Sequence, residues 1–140
     1  DKINLTIVGI EKEAKHNIYQ DNTHFYEIES NQLNLIKHYD NNNIFVLPSF
    51  TEGYPMVLLE ALSRLRPTIV FKDISHVIGN KIGIFVSERN SESFNKTLNH
   101  IIKNYNFIQQ EMKKNKLPTK KQYIKSFIEV ITRLINEQTF

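Results

Sequence analysis

Short apolar runs recur along this chain between polar stretches. Ile3-Asn4-Leu5-Thr6-Ile7-Val8-Gly9, His24-Phe25-Tyr26-Glu27-Ile28, Ile44-Phe45-Val46-Leu47, Thr68-Ile69-Val70-Phe71 and Gly83-Ile84-Phe85-Val86 each read as a strand. The third run is apolar throughout rather than alternating, as expected for a parallel strand covered on both faces. Helical spacing fills the intervals. Leu33, Ile36 and Tyr39 mark a helix over Asn31 to Tyr39, ended by the polar turn Asp40-Asn41-Asn42-Asn43. Leu58, Leu59, Ala61, Leu62 and Leu65 give an apolar stripe to a helix beginning near Pro55. Phe94, Leu98, Ile101 and Ile102 do the same for Ser91 to Asn104, with Ser91 or Ser93 as cap. A more polar segment runs from Phe107 to Lys116. After Pro118, the residues Tyr123, Phe127, Val130, Ile131, Leu134 and Ile135 predict a last amphipathic helix within 119–140. Between the first two strands a short helix or irregular segment is expected. Strands alternating with helices predict an α/β fold, a Rossmann-like, doubly wound parallel sheet.

The chain has 140 residues, enough for one domain but not two, so residues 1–140 are expected to form a single unit. Hydrophobic residues make up 40% and charged residues 24%, a globular balance. No apolar run is long enough to cross a membrane, and no basic-then-apolar leader is legible. Cysteine is absent, which removes disulfides and thiolate metal sites and fits a cytoplasmic setting. His16, His24, His38, His76 and His100 are scattered without metal-ligand spacing, and no metal site is expected.

Candidate chemistry concentrates where the third strand meets the helix after it. Pro48 closes the strand, Gly53 permits a sharp turn and close approach of a ligand, and Pro55 suits a first helical position. The N–H groups of Met56, Val57 and Leu58 then point toward the loop, a favourable place for phosphate. Glu52 precedes those groups, and Glu60 lies one turn after Met56 on the same face. Each is an acceptor able to take paired hydroxyls. Two glutamates at this spacing, taken alone, also read as a loop acid favoured by the helix dipole and a surface helix acid.

The stretch Pro48-Ser49-Phe50-Thr51-Glu52-Gly53-Tyr54-Pro55, followed by Val57-Leu58-Leu59-Glu60-Ala61, resembles the E-x7-E region of the group 1 (family 4) retaining glycosyltransferases. The resemblance implies the C-terminal, donor-binding half of a GT-B fold. It implies Glu52 as the contact to the transferred sugar and Glu60 as the contact to ribose. Gly53, Tyr54, Pro55, Met56, Val57 and Leu58 become a backbone cradle for the diphosphate. The partner implied is a nucleoside-diphosphate sugar, with no separate cofactor. By analogy, the backbone at Ile28 borders the nucleobase and Gly9 lets the ligand approach, although both also read as ordinary strand ends. Away from the motif the resemblance is weaker, reaching from about residue 3 to about residue 90.

Several positions depart from the family pattern. Leu65-Arg66-Pro67 stands where a glycine usually precedes the proline of the next strand, so that turn must be built differently. Arg64 and Arg66 fall at the far end of the motif helix, about 15 Å from its start, and are expected to be solvated or to cap the dipole. The loop Lys72 to Asn80 has a single glycine, and His76 within it reads as an ordinary loop histidine rather than a phosphate partner. The family also has an earlier strand and helix bearing an arginine and a lysine, preceded by an acceptor-binding domain. No counterpart precedes Asp1, so a piece of a longer protein is expected, lacking its first βα unit and inactive without the N-terminal domain.

Lys113, Lys114, Lys116, Lys120, Lys121 and Lys125 supply much of the net charge of +3. Two readings stay open: a solvated helical surface, or peripheral contact with anionic lipid at the inner face of a membrane, which would suit a lipid-linked acceptor. No stacking platform accompanies them, so specific nucleic-acid binding is not expected. The resemblance implies retaining transfer of a sugar to an acceptor hydroxyl, in polysaccharide, lipopolysaccharide or glycolipid synthesis. The alternative is a non-catalytic nucleotide-sugar-binding accessory or regulatory module. A receiver-like signalling domain ranks last, because no acidic cluster follows Val8-Gly9.

Overall fold

The structure, a computed structural model, describes residues 3–9 and 21–137. The expected irregular segment between the first two strands and His16 lie outside the described residues. In chain order the elements are β1 (Leu5–Val8), β2 (Thr23–Tyr26), α1 (Gln32–Asp40), β3 (Phe45–Leu47), α2 (Met56–Ser63), β4 (Thr68–Phe71), β5 (Ile84–Ser87), α3 (Ser91–Lys103), α4 (Tyr105–Met112) and α5 (Lys120–Glu137). Two short 3₁₀ turns, broken at Ile74, occupy Lys72–Val77, where a plain loop was expected.

All strand pairs are parallel, and strands alternate with helices. The pairing nevertheless departs from the one continuous sheet expected. β1 pairs with β2, Leu5 opposite Thr23 and Val8 opposite Tyr26. β3, β4 and β5 form a second sheet in that order, with β4 central. Short apolar runs mark where strands lie but carry no information on neighbours, which is why the division was not legible. Helix α1 links the two sheets through aromatic edges: Tyr26 meets His38 with ring centroids 4.5 Å apart, and Tyr39 meets Phe45 at 5.7 Å.

The core divides at β4, because successive strand residues face opposite ways. Ile69 packs with Leu62, Ile101, Ile108 and Met112, while Val70 packs with Leu47, Leu58 and Ile74. Burying an aliphatic side chain of this size contributes about 1.5–3 kcal/mol, so β4 anchors the second sheet. Gly83 opens the way for α4. It has φ +95°, and a Cβ there would fall 2.5 Å from Cγ and Sδ of buried Met112. Only glycine combines that backbone conformation with the space Met112 needs.

The amphipathic stripes hold in part. Leu58, Ala61 and Leu62 of α2 are buried, but Leu33 of α1 and Ile102 of α3 are exposed. Asn31 caps α1 by accepting from Leu33 and Asn34 N–H, and Asn90 caps α3 by accepting from Ser93 N–H. Asn90 thus takes the cap expected of Ser91 or Ser93, because Ser93 Oγ instead accepts from Glu88 N–H at 3.0 Å. In α5, Tyr123, Phe127, Val130, Ile131, Leu134 and Ile135 are all exposed. No helix among the described residues is long and apolar enough to cross a membrane.

Helix α2 ends in a Schellman turn. Arg66 N–H donates to Ala61 O and Leu65 N–H to Leu62 O, with Leu65 at φ +55°. Glycine is the usual occupant of that left-handed position. Leu65 is held in it by partial burial against the Ile69 cluster.

Candidate functional site

Parallel strands converge their C-terminal ends on one edge, and loops there are the usual place for ligands in α/β folds. β3 ends at Leu47, the loop runs from Pro48 to Pro55, and α2 opens at Met56. Pro55 is the N-cap (φ −73°, ψ 105°), one position earlier than the first helical place expected of it. Lacking a capping side chain, it leaves the first turn to the backbone. Leu58 N–H donates to Pro55 O at 3.1 Å, so Leu58 cannot serve as an open donor in the cradle as expected. The N–H groups of Met56 and Val57 have no partner among the described residues, and they sit at the positive end of the helix. Gly53, Tyr54 and Met56 are exposed around them, while Pro55 and Leu58 are buried and Val57 half-buried.

Both glutamates are half-buried and held by neighbours. Glu52 Oε1 accepts from Ser49 Oγ at 2.7 Å. Its backbone oxygen lies 2.8 Å from His76 Nε2, and because a carbonyl only accepts, His76 carries a proton on Nε2. His76 is therefore tied to the loop rather than standing as an ordinary loop histidine. Glu60 Oε2 accepts from Tyr39 Oη at 2.9 Å, and no hydrogen bond among the described residues engages Oε1. Burial pushes the Tyr39 phenol well above its ordinary range, and the bond to Glu60 and its negative charge add to the shift. A neutral tyrosine thus steers the Glu60 carboxylate.

The other predicted positions lie apart from this pair. Gly9 (φ +94°) ends β1 and donates its N–H to Tyr26 O, and Ile28 is exposed beyond the end of β2. No hydrogen bond among the described residues joins either to the 48–55 loop. Arg64 and Arg66 are neither free nor simple dipole caps. Arg64 Nε binds Asp40 Oδ1 at 2.7 Å, and this pairing holds the Asp40 carboxyl below the usual carboxylate range. Arg66, largely buried, donates to Asp40 O at 3.2 Å and to Tyr105 Oη at 3.2 Å. Arg64 thus ties the far end of α2 to α1, and Arg66 ties it to α1 and α4. Among the described residues no group of three or more His, Asp or Glu gathers to hold a metal ion.

Tyr39, Ser49, His76 and Arg89, whose guanidinium donates to Pro48 O and Ser49 O, all touch the site, and sequence reasoning gave none of them that place. Only Ser49 lies close enough in sequence to Glu52 for local geometry to suggest its bond.

Residues 1–121 match the family described as Glycosyl transferases group 1. The chain belongs to the group 1 glycosyl transferases. A relative from Haemophilus influenzae (strain ATCC 51907 / DSM 11121 / KW20 / Rd), described as an uncharacterized glycosyltransferase, is 30% identical over 96 residues. That alignment covers 66% of this chain and 27% of the relative, so the chain spans about a quarter of that protein's length. No solved structure matches the chain. The group 1 match takes in the whole of the strand, loop and helix that carry Glu52 and Glu60, and it ends at the start of α5.

Proposed function

We propose that this chain forms the donor-binding half of a two-domain, GT-B glycosyltransferase. It holds a nucleoside-diphosphate sugar for retaining transfer to an acceptor hydroxyl. The observation that carries this reading is the placing of two restrained carboxylates around an open helix start. Met56 and Val57 N–H oppose the diphosphate and the charge that grows on it as it departs, an electrostatic effect set up before reaction. Glu52 accepts from hydroxyls of the sugar and orients the ring. Glu60, with Oε2 engaged by Tyr39, accepts from ribose through Oε1. Gly53 and Tyr54 border the diphosphate, and Ile28 and Gly9 border the nucleobase side.

Strand pairing supports the same architecture. The doubly wound order 3-2-1-4-5-6, with the five strands here taken as its second to sixth, gives β2-β1 and β3-β4-β5 as neighbours, which is the observed pairing. The place between β1 and β3 then belongs to a first strand supplied by the longer protein, together with its acceptor-binding domain.

In the full-length protein, Glu52→Ala and Glu60→Ala should each lower transfer by about a hundredfold, the loss expected when a charged hydrogen-bonding group leaves a reacting complex. Transfer assays with UDP-, GDP- and ADP-sugars read this directly. Near-normal rates in both variants would defeat the assigned roles.

A further inference from the structure

Arg89 lies two residues beyond β5 and immediately before the cap of α3, yet its side chain crosses to the loop after β3. Nη1 donates to Pro48 O at 2.9 Å and Nη2 to Ser49 O at 2.9 Å. Nε and Nη2 also bind Asp73 Oδ2, at 3.2 and 3.0 Å, from the segment after β4. The guanidinium carbon stands 3.8 Å from the ring centroid of Phe50 and 4.3 Å from that of Phe71. Phe71 in turn stacks on Phe94 of α3. One side chain therefore joins the C-terminal ends of all three strands of the second sheet.

Among the described residues no other group donates to the backbone oxygens of Pro48 and Ser49, and the next hold on the loop is His76 at Glu52 O. Phe50 is exposed, and Arg89 is the cation that lies over its ring. The two carbonyls that Arg89 takes belong to Pro48 and Ser49, and Ser49 supplies the hydroxyl bonded to Glu52. Displacing the Ser49 backbone displaces that hydroxyl and, with it, the Glu52 carboxylate. The planar fork of arginine reaches two carbonyls and a carboxylate while its face meets the rings. Lysine, a point charge on a flexible stem, cannot reproduce that set.

We propose that Arg89 is a positioning residue for the sugar-binding carboxylate, acting through Pro48, Ser49 and Phe50 to fix Glu52. This rests on the reading of Glu52 as the sugar contact. Glu60 and the open amides of Met56 and Val57 are held by Tyr39 and by α2 itself. Arg89 therefore governs recognition of the sugar and not of the nucleoside diphosphate.

The test compares two ligands in the full-length protein. Isothermal titration with UDP-, GDP- and ADP-glucose first identifies the accepted base, and that sugar nucleotide is then compared with its free diphosphate. Arg89→Ala should weaken binding of the sugar nucleotide by about tenfold, the loss of charge-assisted bonds at one contact. Binding of the free diphosphate should change by less than about twofold. Arg89→Lys, which keeps a cation near Asp73 and secures folding if the alanine variant melts early, should show the same pattern. Equal weakening of both ligands, no weakening of either, or full recovery by lysine would each overturn the proposal. Glu52→Ala is measured alongside. If it leaves sugar-nucleotide affinity intact, the donor reading itself falls; if it weakens that affinity while the Arg89 variants do not, only the positioning role falls.

Discussion

Replacing Tyr39 with phenylalanine removes one oxygen and one hydrogen bond from the site. The bond lost is the 2.9 Å donation to Glu60 Oε2, and the edge contact with Phe45 is retained. Hydrogen bonds to charged groups contribute about 1.5–3 kcal/mol. Water can reach the half-buried Glu60 once the phenol is gone, so the expected loss is about 1.5 kcal/mol, the low end. A chain of 140 residues unfolds with an entropy of about 0.3 kcal/mol/K, so Tm should fall by about 5 °C. A double-mutant cycle with Glu60→Ala, which removes the acceptor, isolates the pair and should return a coupling of about 1 kcal/mol.

Alkaline titration gives a second signature of the same bond. Burial, then the bond to Glu60 and its charge, raise the Tyr39 pKa in the folded state above its ordinary value of 10.0. The folded protein keeps this proton where the unfolded chain releases it. The corresponding stability is fully present below about pH 10 and is lost as pH rises beyond it, by up to about 1.4 kcal/mol per pH unit. The wild type should therefore lose stability faster than Tyr39→Phe above that pH. Urea denaturation at several pH values measures both slopes. Identical slopes, together with a Tm shift under about 1 °C and no coupling to Glu60, would refute the claim that Tyr39 holds Glu60.

Gly83→Ala should destabilise the fold by about 2–4 kcal/mol, combining strain at positive φ with overpacking against Met112. The same substitution should cost less in a Met112→Ala background, and urea unfolding of the four proteins measures the difference. Asp40→Asn probes the contact between α1 and the far end of α2. Arg64 lowers the Asp40 pKa in the folded state, so the stability it confers is present above the unfolded carboxylate pKa and is lost as pH falls through the folded one. The variant should be less stable at neutral pH and should show a flatter decline below about pH 4 in thermal melts.

The strand, loop and helix from Phe45 to Ser63 were legible because each carries a local signal: an unbroken apolar run, Pro48, Gly53, Pro55 and a helical stripe. The positions of Glu52 and Glu60 followed from the same signals. Their restraints did not. Tyr39 lies 21 residues from Glu60, His76 lies 24 from Glu52, and Arg89 lies 40 from Ser49. Such pairs are made by the packing of α1 and the ordering of strands, which single-residue preferences do not encode. Periodicity misjudged Leu33 because a helix packed along a narrow stripe leaves part of its apolar spacing in solvent. It marked α5 as amphipathic but could not show that the apolar face is exposed here.

The leucine at the end of α2 has a bearing on how the chain assembles. Where glycine closes a helix, the stop signal is written in the local sequence and is available before tertiary structure exists. Leu65 disfavours the left-handed conformation by about 1–2 kcal/mol on its own and adopts it against the core formed by Ile69 and its neighbours. The boundary between α2 and β4 is therefore defined by distant residues. In a nascent or isolated segment that helix has no fixed end, and the direction in which β4 leaves it is settled only when the sheet has formed.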